Sequence, residues 1–197
     1  MIVNCVAYQE GRKLADIQPS EIRTYVSRPE CFVWVALREP SSAELDAMQE
    51  EFGLHPLAVE DARHGHQRPK IEEYGDSLFA VLHTVEVAGQ ELNVGEVAVF
   101  VGRNYVLSIR SHTERGFAEV RSRCEREPEL LRHGSGYVLY AIMDAVVVEQ
   151  LYWRLATVNK TTDIAIAQIK LNTLVNNRGS RPAHMTGASM STNRKFV

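Results

Sequence analysis

The segment Cys31–Leu37, CFVWVAL, is apolar at every position and lies between Pro29 and Pro40. A strand with one wet face alternates apolar and polar side chains. This one does not, so both of its faces must be covered. Such a strand sits inside a sheet, and the rest of the chain has to supply helices for two sides of it.

The flanking sequence supplies them. Ser41 and Glu44 have the spacing of a capping box, and Leu45, Met48 and Phe52 then recur on one helical face. Gly53 is placed to end that helix. His55-Pro56 opens a second, short helix through Leu57, Val59 and Ala62 that carries Glu60 and Asp61. The stretch His64-Gly65-His66-Gln67-Arg68-Pro69 reads as a turn, because glycine and pre-proline residues disfavour helix. Upstream, Ile2–Tyr8 reads as a strand, Gly11 marks polar turn residues, and Pro19-Ser20-Glu21 opens a short helix through Tyr25. Downstream, Ser77–Val87 has β character. Val97–Val101 and Tyr105–Ile109 form a hairpin around a loop of Gly102-Arg103-Asn104. Thr113–Glu127 is expected to be helical, with Phe117, Val120 and Cys124 on one stripe, and a longer helix runs from Tyr137 to about Leu155. The expected fold class is therefore α/β: a mixed β-sheet sandwiched between helices (α/β/α), followed by the start of a long helix.

Charge narrows the function. Lys and Arg total 22 against 25 acids, for a formal net charge of -3, so a nucleic-acid partner is not expected. Cys5, Cys31 and Cys124 are scattered without a CxxC pair, which fits a reducing compartment better than a disulfide framework. The N-terminus lacks a basic segment followed by a long apolar one. The most apolar helix, Tyr137–Val148, is interrupted by Asp144 and falls short of the roughly 20 residues needed to cross a bilayer.

Catalytic constellations are hard to find. There is no GxGxxG after a strand, no GxxxxGK[ST] and no GxSxG, so no catalytic site is expected. Two readings of the polar residues stay open. Asp61, Glu60 and Asp144 are oxygen donors of the kind hard cations prefer, although adjacent acids on one helix point in different directions. His55, His64 and His66 with Asp61 have the residue types of a small metal-dependent hydrolase, but without HExxH or comparable spacing. Arg68 and Lys70 can pair with Glu72, Glu73 or Asp76, and Trp34 reads as a core or interface residue.

The run Glu51–Tyr74, EFGLHPLAVEDARHGHQRPKIEEY, resembles the CorA family of magnesium and cobalt transporters, which also has zinc-transporting members. The supporting features fall in the same order. A Trp34-bearing strand precedes Pro40, Phe79–Leu82 follows the motif, and Glu96–Val101, Asn104–Ser108 and YVLYAIMDAVV from Tyr137 to Val147 come after. The resemblance covers about residues 1–147 and implies a cytosolic regulatory domain on the inner membrane's cytosolic face. In that family an α/β/α sandwich leads through a stalk helix to two membrane segments bearing a Gly-Met-Asn motif, within a homopentamer. Metal held between neighbouring cytosolic domains keeps the pore closed. By the same resemblance, Asp61 matches the principal regulatory carboxylate, and Glu60 and Asp144 match acids near a second regulatory position. The implied ligand is Mg²⁺ or Co²⁺, with Zn²⁺ as a further candidate.

The match fades after Val147. Val148 stands where an acid is common, and the chain contains neither Gly-Met-Asn nor membrane helices. Residues 148–171 are expected to be a divergent helical continuation and 172–197 a disordered tail. The expected function is divalent-cation sensing without a pore, with membrane contact only through segments this chain lacks. A free-standing binding protein of the same fold is a further alternative.

Overall fold

The computed structural model describes residues 1–88, 91–113 and 116–158. The doubly apolar segment forms β3 (Cys31–Arg38), near the middle of a seven-stranded mixed sheet of order β2-β1-β3-β7-β6-β5-β4. The other strands are β1 (Ile2–Gln9), β2 (Arg12–Asp16), β4 (Lys70–Tyr74), β5 (Ser77–Ala88), β6 (Glu91–Gly102) and β7 (Tyr105–Ser111). All neighbouring strands run antiparallel except β3 and β7, which run parallel.

Side-chain alternation divides the core in two. Val33, Val35 and Leu37 of β3 and Leu107 and Ile109 of β7 face α2 (Ser42–Phe52) and α3 (Pro56–His64). Short α1 (Ile22–Val26) also contributes Ile22 to this side. The opposite face carries Phe32, Trp34 and Val106. It packs on α4 (Ala118–Arg126), α5 (Pro128–Leu131) and the first part of α6 (Ser135–Val158). The α/β/α sandwich expected from β3 is thus the observed fold. Met1–Trp153 forms one compact unit. Among the described residues, no helix is long and apolar enough to cross a membrane. The expected tail, 172–197, lies outside them.

Three sequence expectations need correction. Helix α4 begins at Ala118 rather than Thr113, because the Thr113 hydroxyl donates to Glu86 of β5 and is held at the sheet. It ends at Arg126, since Glu127 precedes Pro128 and leaves the helical region at φ -119. The hairpin loop is two residues, not three: Gly102 pairs with Tyr105, whose ring lies over the glycine. Finally, Gly11 is not simply a turn between a strand and a helix. Glu10 and Gly11, both at positive φ, link β1 to β2, a polar strand invisible to apolar periodicity. β4 is its counterpart at the other edge, and charged edge strands discourage pairing with a second sheet.

The capping box of α2 forms as expected. Ser41 Oγ accepts from the Glu44 amide at 3.3 Å, and Glu44 Oε2 accepts from the Ser41 amide at 2.9 Å and from the N-terminal ammonium at 3.0 Å. The Ser41 amide, then the ammonium, hold the Glu44 carboxyl down at about 2, from an ordinary 4.5. A depressed carboxyl adds stability above its unfolded value and loses it as pH falls toward the folded one. Glu44→Ala is therefore expected to cost about 1 kcal/mol at pH 7. Urea titrations should show its deficit relative to wild type shrinking between pH 4.5 and 2.

Candidate functional site

The acidic candidates lie on two helices, Glu60 and Asp61 on α3 and Asp144 on α6. In α3, Ala58, Val59 and Ala62 bury one stripe against the sheet. Glu60 therefore faces solvent, while Asp61 sits half-buried at the helix margin. There the Asp61 Oδ2 accepts from Lys70 Nζ of β4 at 2.7 Å. Lys70 also reaches Glu72 Oε2 at 2.9 Å, and the Tyr74 hydroxyl donates to that same carboxylate oxygen at 2.9 Å. Tyr74 stacks on His55, with ring centroids 4.2 Å apart. One polar chain thus ties the start of α3, its acidic margin and the edge strand β4 together.

Its electrostatics follow from the pairing. Asp61, then Glu72, push the Lys70 ammonium above the ordinary lysine range. Lys70, then Tyr74, push the Glu72 carboxyl below its ordinary value. Partial burial, then the Glu72 contact, raise the Tyr74 phenol. Sequence spacing offers Lys70 the partners Glu72, Glu73 or Asp76, and of these the structure pairs it with Glu72. Its link to Asp61 crosses from strand to helix and was not visible in sequence spacing.

Asp144 lies elsewhere. It is half-buried on α6, where its Oδ2 accepts from Arg123 Nη1 at 3.2 Å, and Arg123 Nη2 also donates to the Ala141 carbonyl at 3.3 Å. Because α3 and α6 cover opposite faces of the sheet, Asp61 and Asp144 do not share a cleft within one chain. The Glu60 carbonyl lies 2.9 Å from His64 Nδ1.

The three histidines are also dispersed. His55 stacks on Tyr74, His64 turns back on its own helix, and His66 lies near His112, with ring centroids 5.3 Å apart. Among the described residues, no group of three or more His, Cys, Asp or Glu side chains is placed to hold a metal ion. The fit to a hydrated cation is therefore partial. Asp61 offers suitable oxygens, but one chain does not assemble a donor set around it.

Comparison with known proteins identifies the family. Residues 29–179 match the family model described as CorA-like Mg²⁺ transporter protein. The chain belongs to the CorA-like family. This CorA-like chain is 34% identical over 125 residues to the protein named "Putative metal ion transporter YfjQ" of Bacillus subtilis, covering 63% of the chain and 39% of the relative. It is 35% identical over 101 residues to the cobalt/magnesium transport protein CorA of Thermotoga maritima, covering 50% of the chain and 29% of that protein. The chain thus spans well under half the length of both relatives. Its fold resembles the soluble domain of CorA from Methanocaldococcus jannaschii, with TM-score 0.52 and 17% identity over 80% of this chain and 62% of that one. It also resembles full-length CmaX, with TM-score 0.60 and 16% identity over 79% of this chain and 49% of that one.

Proposed function

We propose that this CorA-like chain is a cytosolic divalent-cation-sensing domain, with Asp61 as its principal metal-binding carboxylate and Glu60 and Asp144 as further contributors. Mg²⁺ or Co²⁺ is the expected ligand, and Zn²⁺ would bind by the same carboxylate. The ion bridges two copies of the domain within a homo-oligomer, a pentamer on the family pattern, and biases a transport pore carried elsewhere in the assembly.

The observation that carries this reading is the state of Asp61. Its charge is balanced by Lys70 at 2.7 Å, a flexible side chain that an incoming ion can displace. Mg²⁺ keeps several of its own waters and needs only one or two protein carboxylates, so an incomplete donor set in one chain suits a shared ion. A second copy would supply the remaining carboxylate. The ion then binds the bridged arrangement better than the separated one, and that difference is what shifts a population. Competition with Lys70 keeps the affinity low enough for occupancy to follow concentration. The relatives are named as transporters rather than enzymes, and the dispersed histidines do not favour a hydrolase.

Calorimetry with Mg²⁺, Co²⁺ and Zn²⁺ tests this. Asp61→Ala should lose most of the heat of binding. Lys70→Met removes the competing ammonium and should bind Mg²⁺ several-fold more tightly, by about 1 kcal/mol. Unchanged binding by Asp61→Ala would remove that residue from the site.

A further inference from the structure

The two parallel strands create a second place of interest. After β3 the chain passes to α2 and α3 on one face, and after β7 it passes to α4, α5 and α6 on the other. Adjacent parallel strands whose continuations leave to opposite faces form a topological switch point, and ligands of α/β proteins bind in the crevice outside such strand ends. Here that crevice holds a cavity of about 120 Å³.

Its floor is a single cross-strand row: Asn4 of β1 is in register with Ala36, and Ala36 with Ser108 of β7. Two small side chains at the carboxyl ends of β3 and β7 leave the depression. Trp34 closes one side and Phe117 another. Arg110 of β7 and Arg121 of α4 both line it, as do Gly116 and Ala118 at the start of α4, where backbone amides favour an anion. Glu119, in the same first turn, is exposed.

Arg121 is the unusual residue. It is only 9% exposed, and its guanidinium lies 4.4 Å from the Trp34 ring. Among the described residues its hydrogen bonds leave from Nη1, to Asn4 Oδ1 at 2.8 Å and to the Tyr8 hydroxyl at 3.4 Å. A guanidinium has five donors, and these two bonds engage one end of it. The nearest link to a carboxylate in this network is indirect, through the Tyr8 hydroxyl donating to Glu125 at 2.8 Å. No acid is among the described lining residues, and Arg121 bonds directly to none. Burying a guanidinium that lacks a direct counter-ion is costly unless another anion compensates it.

We propose that this crevice binds a small organic carboxylate. The carboxylate pairs with the Arg121 fork and with Arg110, and a short apolar body lies against Trp34, Ala36 and Phe117. The planar two-oxygen group matches the guanidinium, and the apolar walls favour it over phosphate.

The experiment uses the full chain and the indole N–H signals of its 2 tryptophans in ¹H–¹⁵N spectra, with Trp34 assigned by Trp34→Phe. Acetate, butyrate and inorganic phosphate are titrated at constant ionic strength in chloride. Butyrate should move the Trp34 signal to saturation, with phosphate binding more weakly. Arg121→Lys and Arg110→Gln should each weaken butyrate by about tenfold or more. The dispersion of the same spectra reports whether each variant is folded, and Arg110→Gln decides the matter if Arg121→Lys is not. Non-saturating shifts, butyrate affinity unaltered in a folded variant, or tighter binding of phosphate than of butyrate would each overturn the assignment.

Discussion

Replacing Trp34 by alanine is expected to destabilise the protein by about 3–5 kcal/mol, the usual range for emptying a large aromatic site. The indole is 1% exposed in the helix-covered face of the sheet that also carries Val6, Tyr8, Val99 and Val106. Its Nε1 donates to Ser108 Oγ at 3.2 Å, joining β3 to β7. Its ring supports the buried Arg121 guanidinium, so truncation also strips that charge of its aromatic neighbour. Trp34→Phe keeps a ring beneath Arg121 and loses the indole donor. It should cost about 1–2 kcal/mol. Urea denaturation of both variants, followed by circular dichroism, gives the comparison. A domain of this size holds only about 5–15 kcal/mol in reserve, so the alanine variant should unfold well below the wild-type midpoint. A loss below about 1 kcal/mol for Trp34→Ala would mean that the strand pair is not the core described above.

Gly11→Ala is expected to cost about 2–4 kcal/mol, although it adds a single methyl group. Gly11 is buried in the β1–β2 turn at φ +77, a conformation that penalises any Cβ. That Cβ would lie 2.0 Å from the Pro128 carbonyl oxygen and 2.9 Å from the Arg132 amide nitrogen. Both are backbone atoms, and the Arg132 N–H donates to that same Pro128 carbonyl at 2.9 Å, so neither can simply swing aside. The turn would have to lift away from α5. Gly53 supplies the control. It also has positive φ, +63, but a Cβ there meets nothing within 4 Å. Gly53→Ala should therefore show the conformational penalty alone, about 1 kcal/mol. Equal losses at the two positions, measured by thermal or urea unfolding, would show that the clash is relieved at little cost.

Much of the architecture was legible because it rests on local patterns. The doubly apolar β3 implied cover on two faces. Ser41, Glu44 and Gly53 marked the ends of α2, and Pro56 marked the start of α3. The edge strands β2 and β4 were missed because RKLAD and KIEEY carry too few apolar residues to show a period. Their pairing is decided by their neighbours' open edges. Arg121 was missed for a related reason. In EVRSRCER it looks like one more charge on a polar face, and only packing against Trp34 shows that it is buried.

The candidate metal residues divide in the same way. The chain itself marked Asp61 and Glu60 as neighbours on one short helix, with Asp61 set apart by the surrounding motif. It also carried the α/β/α class, through the side-chain periodicities of β3 and α2. Tertiary structure alone decided that Asp61 pairs with Lys70, that Asp144 pairs with Arg123, and that the two carboxylates lie on opposite sides of the sheet. The reason is physical. Periodicity, caps and turns are set by residues within a few positions of each other. The partner of a charge is set by which strand edge or helix margin the folded sheet brings beside it.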